Sequence, residues 1–449
     1  MKLKSTSMNN KYHFPNGNTA LQSLAGSFKA IKNPLSYTSI QMEKFSGTYS
    51  GFIPGKGRVI VTQDSAFINY VFRENHTNYQ KAKLDTDLMA KQLGTSLLFA
   101  NGDDWRRQRR LIQPAFHHAG IHKLYETVIN TVNAHIANFQ QGKQIDVYPL
   151  MRELSFSVLT NSLFNIDMSR KMTDELCRAF IELQAFMTRD VLQPFRRLLY
   201  PLTGEEKKLA KQWDGIRDML KGIIARRKSD KIEYNDLLDM LLNALYEDTG
   251  EAMSEDQLIS ELLILLFAGH ETTGSTLSWL LYLIASNHTV YEKLADAIVK
   301  TDMLDSPRNN YINAIINEGM RLYPAVWINE RVAIKDDQFD GFSFPAGTSI
   351  LTYIYGMHRC EAYWKDASTF NPERFLTPEG VIDKNIKNYF PFGAGPRMCV
   401  GNNFAMAEMA FVLYAIFKTF HISTTEKTPT AWPLLTLRPR EVILNIKRI

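Results

Sequence analysis

The chain has 449 residues, 45% hydrophobic and 22% charged, the balance of an ordinary globular protein. Its net charge of +5 is modest and its aromatic residues are not interleaved with a basic stripe, which argues against a nucleic-acid binder. Its three cysteines, Cys177, Cys360 and Cys399, are odd in number and far apart, which argues against a disulfide framework and for a reducing compartment.

Residues 1–43 read as an irregular leader with a short helix near Leu21 to Ile31. The leader opens with polar residues and lacks the apolar core of a signal peptide. Residues 44–449 read as a single domain, with no linker, repeat or low-complexity tract to divide them. Thr48–Ile53 and Arg58–Thr62 flank Pro54-Gly55-Lys56-Gly57 as a β-hairpin. From about Asp64 to Ser306 the apolar periodicity is mostly helical.

Within that region Ser254-Glu255-Asp256-Gln257 has the form of a capping box and starts a helix that runs to about Asn287, roughly 50 Å long. Its apolar stretch carries Glu261, His270 and Glu271, and charges at bilayer depth are costly, so no membrane anchor is expected. Solubility and a cytoplasmic location follow as expectations. Strand signals return after Pro324, at Phe342–Gly347 and Thr348–Tyr353, and again beyond Phe420, including Glu441–Ile446. The fold class is mainly α with small β-sheets.

The long helix is interrupted by Ala268-Gly269-His270-Glu271-Thr272-Thr273-Gly274. Small and polar residues inside a buried helix cost stability, a violation expected at a functional site. Ala268 and Gly269 leave room for a flat cofactor, and Thr272 can open a groove by bonding its own helix backbone. A packing-tolerant kink is the plainer alternative.

Cys399 lies in Phe390-Pro391-Phe392-Gly393-Ala394-Gly395-Pro396-Arg397-Met398-Cys399-Val400-Gly401, and an apolar helix follows over Asn403–Tyr414. Most free cysteines are merely small buried hydrophobes. A lone thiolate at a helix N-terminus, with no partner cysteine or histidine nearby, is suited to be the axial ligand of a haem iron. Gly395 and Gly401 let the backbone approach a macrocycle, Arg397 can reach a propionate, and Phe392 would lie beside the ring.

The pattern Phe392, Gly395, Arg397, Cys399, Gly401 resembles the haem-binding signature of the cytochrome P-450 superfamily of haem-thiolate monooxygenases. The run Ala268–Thr273 resembles the same superfamily's oxygen-activation motif, in the form found in bacterial fatty-acid hydroxylases, and the resemblance covers nearly the whole chain. It implies the cytochrome P-450 fold, a triangular helical domain with a long central helix over haem b. It implies Glu271 and Thr272 as the acid–alcohol pair that supplies protons. Glu318 and Arg321, with Arg374 in Phe370–Phe375, become a structural triad fixing the cysteine loop. By spacing alone Glu318-x-x-Arg321 is weak, since Glu175-x-x-Arg178 repeats it. Trp105 and Arg109 share a helix face and, with Arg331, match propionate-binding positions.

The implied activity inserts one atom of O2 into a lipophilic substrate such as a fatty acid or terpenoid. Reducing equivalents from NAD(P)H would arrive through a separate ferredoxin or flavodoxin with its reductase, because no flavin or nicotinamide fingerprint is present. Arg106, Arg107 and Arg110 are expected to make the docking face basic. The alternatives are a peroxide-driven or rearranging haem-thiolate enzyme and, more distantly, a haem-binding sensor or carrier.

Overall fold

The computed structural model describes residues 12–82, 90–165, 169–192, 200–230 and 232–449. Residues 20–44 are less irregular than the sequence reads, because two helices follow one another, α1 (Ala20–Lys32) and α2 (Pro34–Lys44). Asn33 ends the first and caps the second, accepting from the Ser36 N–H, and Pro34 takes the first helical position, where its missing N–H costs nothing. Leu35, Thr38 and Met42 supply the buried face of α2.

The hairpin forms as β1 (Thr48–Ile53) and β2 (Gly57–Thr62), with Gly55 and Gly57 both at positive φ in its turn. The short strand Tyr79–Gln80 is β3, and Gly142–Asp146 is β4. Later strands are β5 (Asn329–Ala333), β6 (Asp337–Phe339), β7 (Phe342–Phe344) and β8 (Ser349–Thr352). The last are β9 (Phe420–Thr424), β10 (Ala431–Pro433), β11 (Leu437–Pro439) and β12 (Ile443–Arg448). The main sheet has the order β1-β2-β8-β5-β3, with β2 and β8 parallel. A three-stranded sheet β4-β12-β9 joins the middle of the chain to its last strand.

Five further helices position the site: α3 (Gly102–Ile112), α4 (Val147–Phe164), α5 (Glu255–Ala285), α6 (Asn310–Leu322) and α7 (Asn402–Thr419). The 31-residue α5 starts where its cap predicts, Ser254 accepting from the Gln257 N–H. The box is only half made, for the Gln257 side chain donates instead to the Thr95 carbonyl and to Glu261. Packed against α4, α6, α7 and β11, α5 is buried on almost every side. Glycine sets the closest approach: a Cβ on Gly274 would lie 2.8 Å from the Arg152 Cα of α4.

Glu261 is fully buried in α5, its two oxygens accepting from the Leu97 N–H at 3.0 Å and one of them from Gln257 at 2.7 Å. Burial pushes its carboxyl up to about 7, against an ordinary value of 4.5. A folded-state value above the unfolded one means that stability is full below pH 4.5 and is lost as pH rises toward 7. Glu261→Gln should therefore match the wild type near pH 5 and exceed it at pH 8, by up to about 3 kcal/mol. Urea unfolding at both pH values measures this, and an equal pH-dependent loss in the two proteins would assign the titration elsewhere.

Candidate active site

The cysteine loop is folded back on itself. The Cys399 N–H donates to the Phe392 carbonyl at 2.9 Å, and the Met398 N–H to the Gly395 carbonyl at 3.1 Å. Gly395 has φ +66°, and a Cβ there would stand 2.0 Å from the Phe72 carbonyl oxygen, so the loop is clamped against the turn at residues 70–74. Gly401 is different: φ is −88° and a Cβ would make ordinary contact with Phe116 at 3.9 Å, so protein packing does not demand glycine there. Gly401 is the N-cap residue of α7, and its N–H donates to the Cys399 sulfur.

Cys399 has open surface around it and yet lies deep in the protein, so it faces an internal hollow. Burial pushes its thiol up, while the Gly401 N–H, Arg109 and Lys81 pull it back toward the thiolate. Around the hollow stand several cations. Arg331 is buried, donates to Asn329 and to the Glu330 carbonyl, and lies over the Phe72 ring. Arg397 donates to the Ala100 carbonyl and the Asn101 side chain at 3.0 Å. Burial holds both guanidinium groups down at about 10, and Arg397 depresses Arg331 further. Lys81 is lowered well below the usual lysine range, first by burial and then by Arg331 and Arg397. Among the described residues no carboxylate pairs with Lys81, Arg109, Arg331 or Arg397.

Trp105 and Arg109 each have a partner near the cysteine loop. Trp105 lies under Arg397, whose guanidinium carbon is 4.4 Å from the ring centroid. Arg109 donates to the Met398 carbonyl at 2.7 Å and to Gln113 at 2.9 Å, bracing the residue before the cysteine. The other arginines of α3 are not free charges: Arg106 meets Asp103, Arg107 meets Asp248 and Arg110 meets Glu247. The basic face expected of them is thus partly neutralised by the acidic turn at residues 247–248.

On α5 the polar interruption opens a window in a buried helix. Ala268 is exposed and Gly269 and Thr272 half-buried, whereas Phe267, His270, Glu271 and Thr273 are buried. The Thr272 hydroxyl donates to the Ala268 carbonyl at 2.8 Å. Glu271 is turned away from that hydroxyl, because neighbouring helix residues point about 100° apart. Its Oε1 accepts from Tyr148 at 2.6 Å, and Arg438 approaches the same oxygen at 3.7 Å. Among the described residues its Oε2 has no hydrogen-bond partner. His270 donates Nδ1–H to the Leu266 carbonyl and packs edge-on against Phe156, a neutral core histidine with its ordinary pKa lowered by burial.

Glu318, Arg321 and Arg374 come together. Arg321 donates to both carboxylate oxygens of Glu318 at 2.7 and 2.8 Å, and Arg374 donates to Glu318 at 3.0 Å. Arg321 also donates to the carbonyls of His358, Ala367 and Thr369. His358 extends the network to the cysteine loop, since its Nε2 accepts the Phe390 N–H at 3.0 Å. Burial, then the charge of Arg321, pushes His358 down to about 3, so it stays a neutral acceptor. Sequence reading passed over His358 and Tyr148 and named Lys81 only as the start of a pocket-lining loop, since lone residues of these types carry no spacing signal.

The donor set fits a haem: one inward-facing thiol, cations without carboxylate partners suited to two propionates, and a helix face of small residues. Comparison with known proteins agrees. Residues 16–446 match the family model described as Cytochrome P450. The chain is 31% identical to cyclooctatin synthase of Streptomyces melanosporofaciens, over 72% of each protein. It is 28% identical to Cytochrome P450 4F1 of Rattus norvegicus, over 89% of this chain and 82% of that protein. The crystal structure of the cytochrome P450DA haem domain superposes with a TM-score of 0.87 at 20% identity, covering 97% of this chain and 98% of that one. The chain belongs to the cytochrome P450 family and is a monooxygenase by that membership.

Removing Glu318 would strand Arg321, which has no exposure to water. Glu318→Ala should cost about 3–5 kcal/mol, the usual loss on breaking a buried ion pair. Arg374, 12% exposed, should cost less when replaced by alanine. Thermal unfolding and haem content of the purified variants measure both, and a Glu318→Ala protein with full haem and unchanged stability would remove the triad from this role.

Proposed function

We propose that Cys399 is the axial thiolate of a haem b and that this enzyme inserts one atom of O2 into a lipophilic substrate. The observation that carries this reading is an accessible but enclosed thiol combined with an open window in a helix otherwise buried. Lys81, Arg331 and Arg397 would hold the propionates, with Trp105 stacked beneath Arg397 and Arg109 bracing the cysteine through Met398. Phe392 anchors the loop through its carbonyl, and Ala268 leaves space along α5, whereas a Cβ on Gly269 would meet the Leu159 side chain of α4 at 2.7 Å, so the glycine expected to make room for a flat cofactor serves helix packing instead. When bound, a cysteine-ligated haem supplies an electron-rich iron that favours O–O cleavage.

The protein's own part is to place protons and keep water out. The Thr272 hydroxyl donates to its own helix, leaving its oxygen free to accept at the window. Glu271 holds a carboxylate one residue away with Oε2 unpartnered among the described residues, and Tyr148 fixes Oε1. Protons would pass from Glu271 to Thr272 through water, because the two side chains are not in contact. The apolar Val326 and Leu435 are exposed on neighbouring segments tied together by Trp327 to the Leu434 carbonyl and Leu437 to the Ala325 carbonyl. They suit a fatty acid or terpenoid. The sequence also suggests Lys81 to Leu98 and Phe180 to Leu199 as pocket-lining segments, of which residues 83–89 and 193–199 lie outside the described residues. Electrons would come from NAD(P)H through a ferredoxin or flavodoxin.

Two variants test the reading. Cys399→Ser should lose the red-shifted carbonyl spectrum of a thiolate-ligated haem together with activity; a serine variant keeping both would overturn the ligand assignment. Thr272→Ala should keep that spectrum while product formed per NAD(P)H falls severalfold, less than the roughly hundredfold loss on removing a direct general acid, because water can partly substitute. Unchanged coupling would remove Thr272 from proton delivery.

A further inference from the structure

Helix α1 is built inside out. Its small and polar face is turned inward: the Ser23 oxygen accepts from the Phe52 N–H of β1 at 3.0 Å, and a Cβ on Gly26 would meet the Tyr37 hydroxyl at 2.4 Å. Its large apolar side chains point to solvent, with Leu21 80%, Leu24 43%, Phe28 81% and Ile31 51% exposed. At 100° per residue these four fall on one arc of about 80°, and no residue of α1 is buried. A helix stabilised by packing on its own domain shows the opposite arrangement.

The charge around that face is one-sided. Lys29 and Lys32 border the apolar arc, and α1 carries no acidic residue. The first 42 residues contain five lysines and no aspartate or glutamate, a charge equal to the +5 of the whole chain. Among the described residues no helix is long and apolar enough to cross a membrane. Exposed apolar side chains flanked by lysines fit a helix lying in a lipid interface, its apolar arc among the acyl chains and its ammonium groups at anionic headgroups. A second copy of the chain fits less well, because self-contact would bring two such lysine-rich segments together.

We infer that α1 docks this protein reversibly on an anionic membrane surface. Four side chains make a marginal apolar anchor, so the charge is needed as well. The inference is independent of the proposed reaction.

The test uses the holoenzyme and co-sedimentation with vesicles of phosphatidylcholine, with or without phosphatidylglycerol. The wild type should pellet with the anionic vesicles, pellet weakly with the neutral ones, and be released by salt. Leu24→Ser combined with Phe28→Ser should weaken binding about tenfold or more. Both side chains are exposed, so the carbonyl spectrum and thermal midpoint should not change. Lys29→Gln with Lys32→Gln should weaken binding to the anionic vesicles several-fold, about that expected for two interfacial lysines. A wild type that stays in the supernatant would overturn the inference, as would binding indifferent to the serine substitutions. So would a wild-type dimer that the serine variant turns into a monomer without any vesicle binding, which would make a second copy the occupant.

Discussion

The Glu318–Arg321 ion pair is the constraint on which the site depends. Neither side chain reaches water, so each charge must be satisfied entirely by protein. The carboxylate takes Arg321, Arg374 and the Asn371 N–H, and the guanidinium takes three further carbonyls between His358 and Thr369. These demands fold the irregular segment 358–374 around α6 without a sheet or long helix to shape it. His358 then receives the Phe390 N–H, and the Phe392 carbonyl receives the Cys399 N–H. A chain of hydrogen bonds thus runs from a buried charge to the cysteine, which lets a loop hold one sulfur in place.

The hollow beside that sulfur is electrostatically unbalanced. Lys81, Arg331 and Arg397 are all depressed by burial, Arg331 further by Arg397 and Lys81 further by both arginines, with no carboxylate among the described residues to relieve them. A dianionic ligand would restore the balance, which is why the cluster fits a propionate-bearing macrocycle better than a neutral one. Of these cations Lys81, together with Arg109 and the Gly401 N–H, favours the thiolate against the burial that opposes it. Lys81 therefore belongs both to the cation cluster and to the surroundings of the thiol.

Helix α5 carries a second compromise. It is buried nearly all round, so each polar residue it contains must find its own partner. Thr272, Thr276 and Ser278 bond back to carbonyls one turn earlier, Glu261 takes a backbone N–H, and Glu271 takes Tyr148. In the polar interruption the helix lies open at Ala268, Gly269 and Thr272 between buried neighbours, and Ala268 is the most exposed of the three.

Much of this was legible in the sequence, since periodicity, caps and turn residues act locally. The hairpin, the start of α5 at Ser254 and the helix after Cys399 follow from residues adjacent to one another. The cysteine pattern was legible because a loop that must close on one sulfur needs glycine where φ is positive, as at Gly395. What depends on contacts between distant segments was not. Glu175 and Arg178 have the spacing of Glu318 and Arg321, but the first pair is exposed and the second enclosed. Glu271 and Thr272 are neighbours in sequence, yet packing against α4 turns the carboxylate to Tyr148. Lys81, His358 and Cys399 are far apart in the chain, and only the folded backbone brings them to one site. Sequence determined which residues could carry the chemistry; tertiary structure decided which were buried, and burial is what gives a charge its partner and a thiol its role.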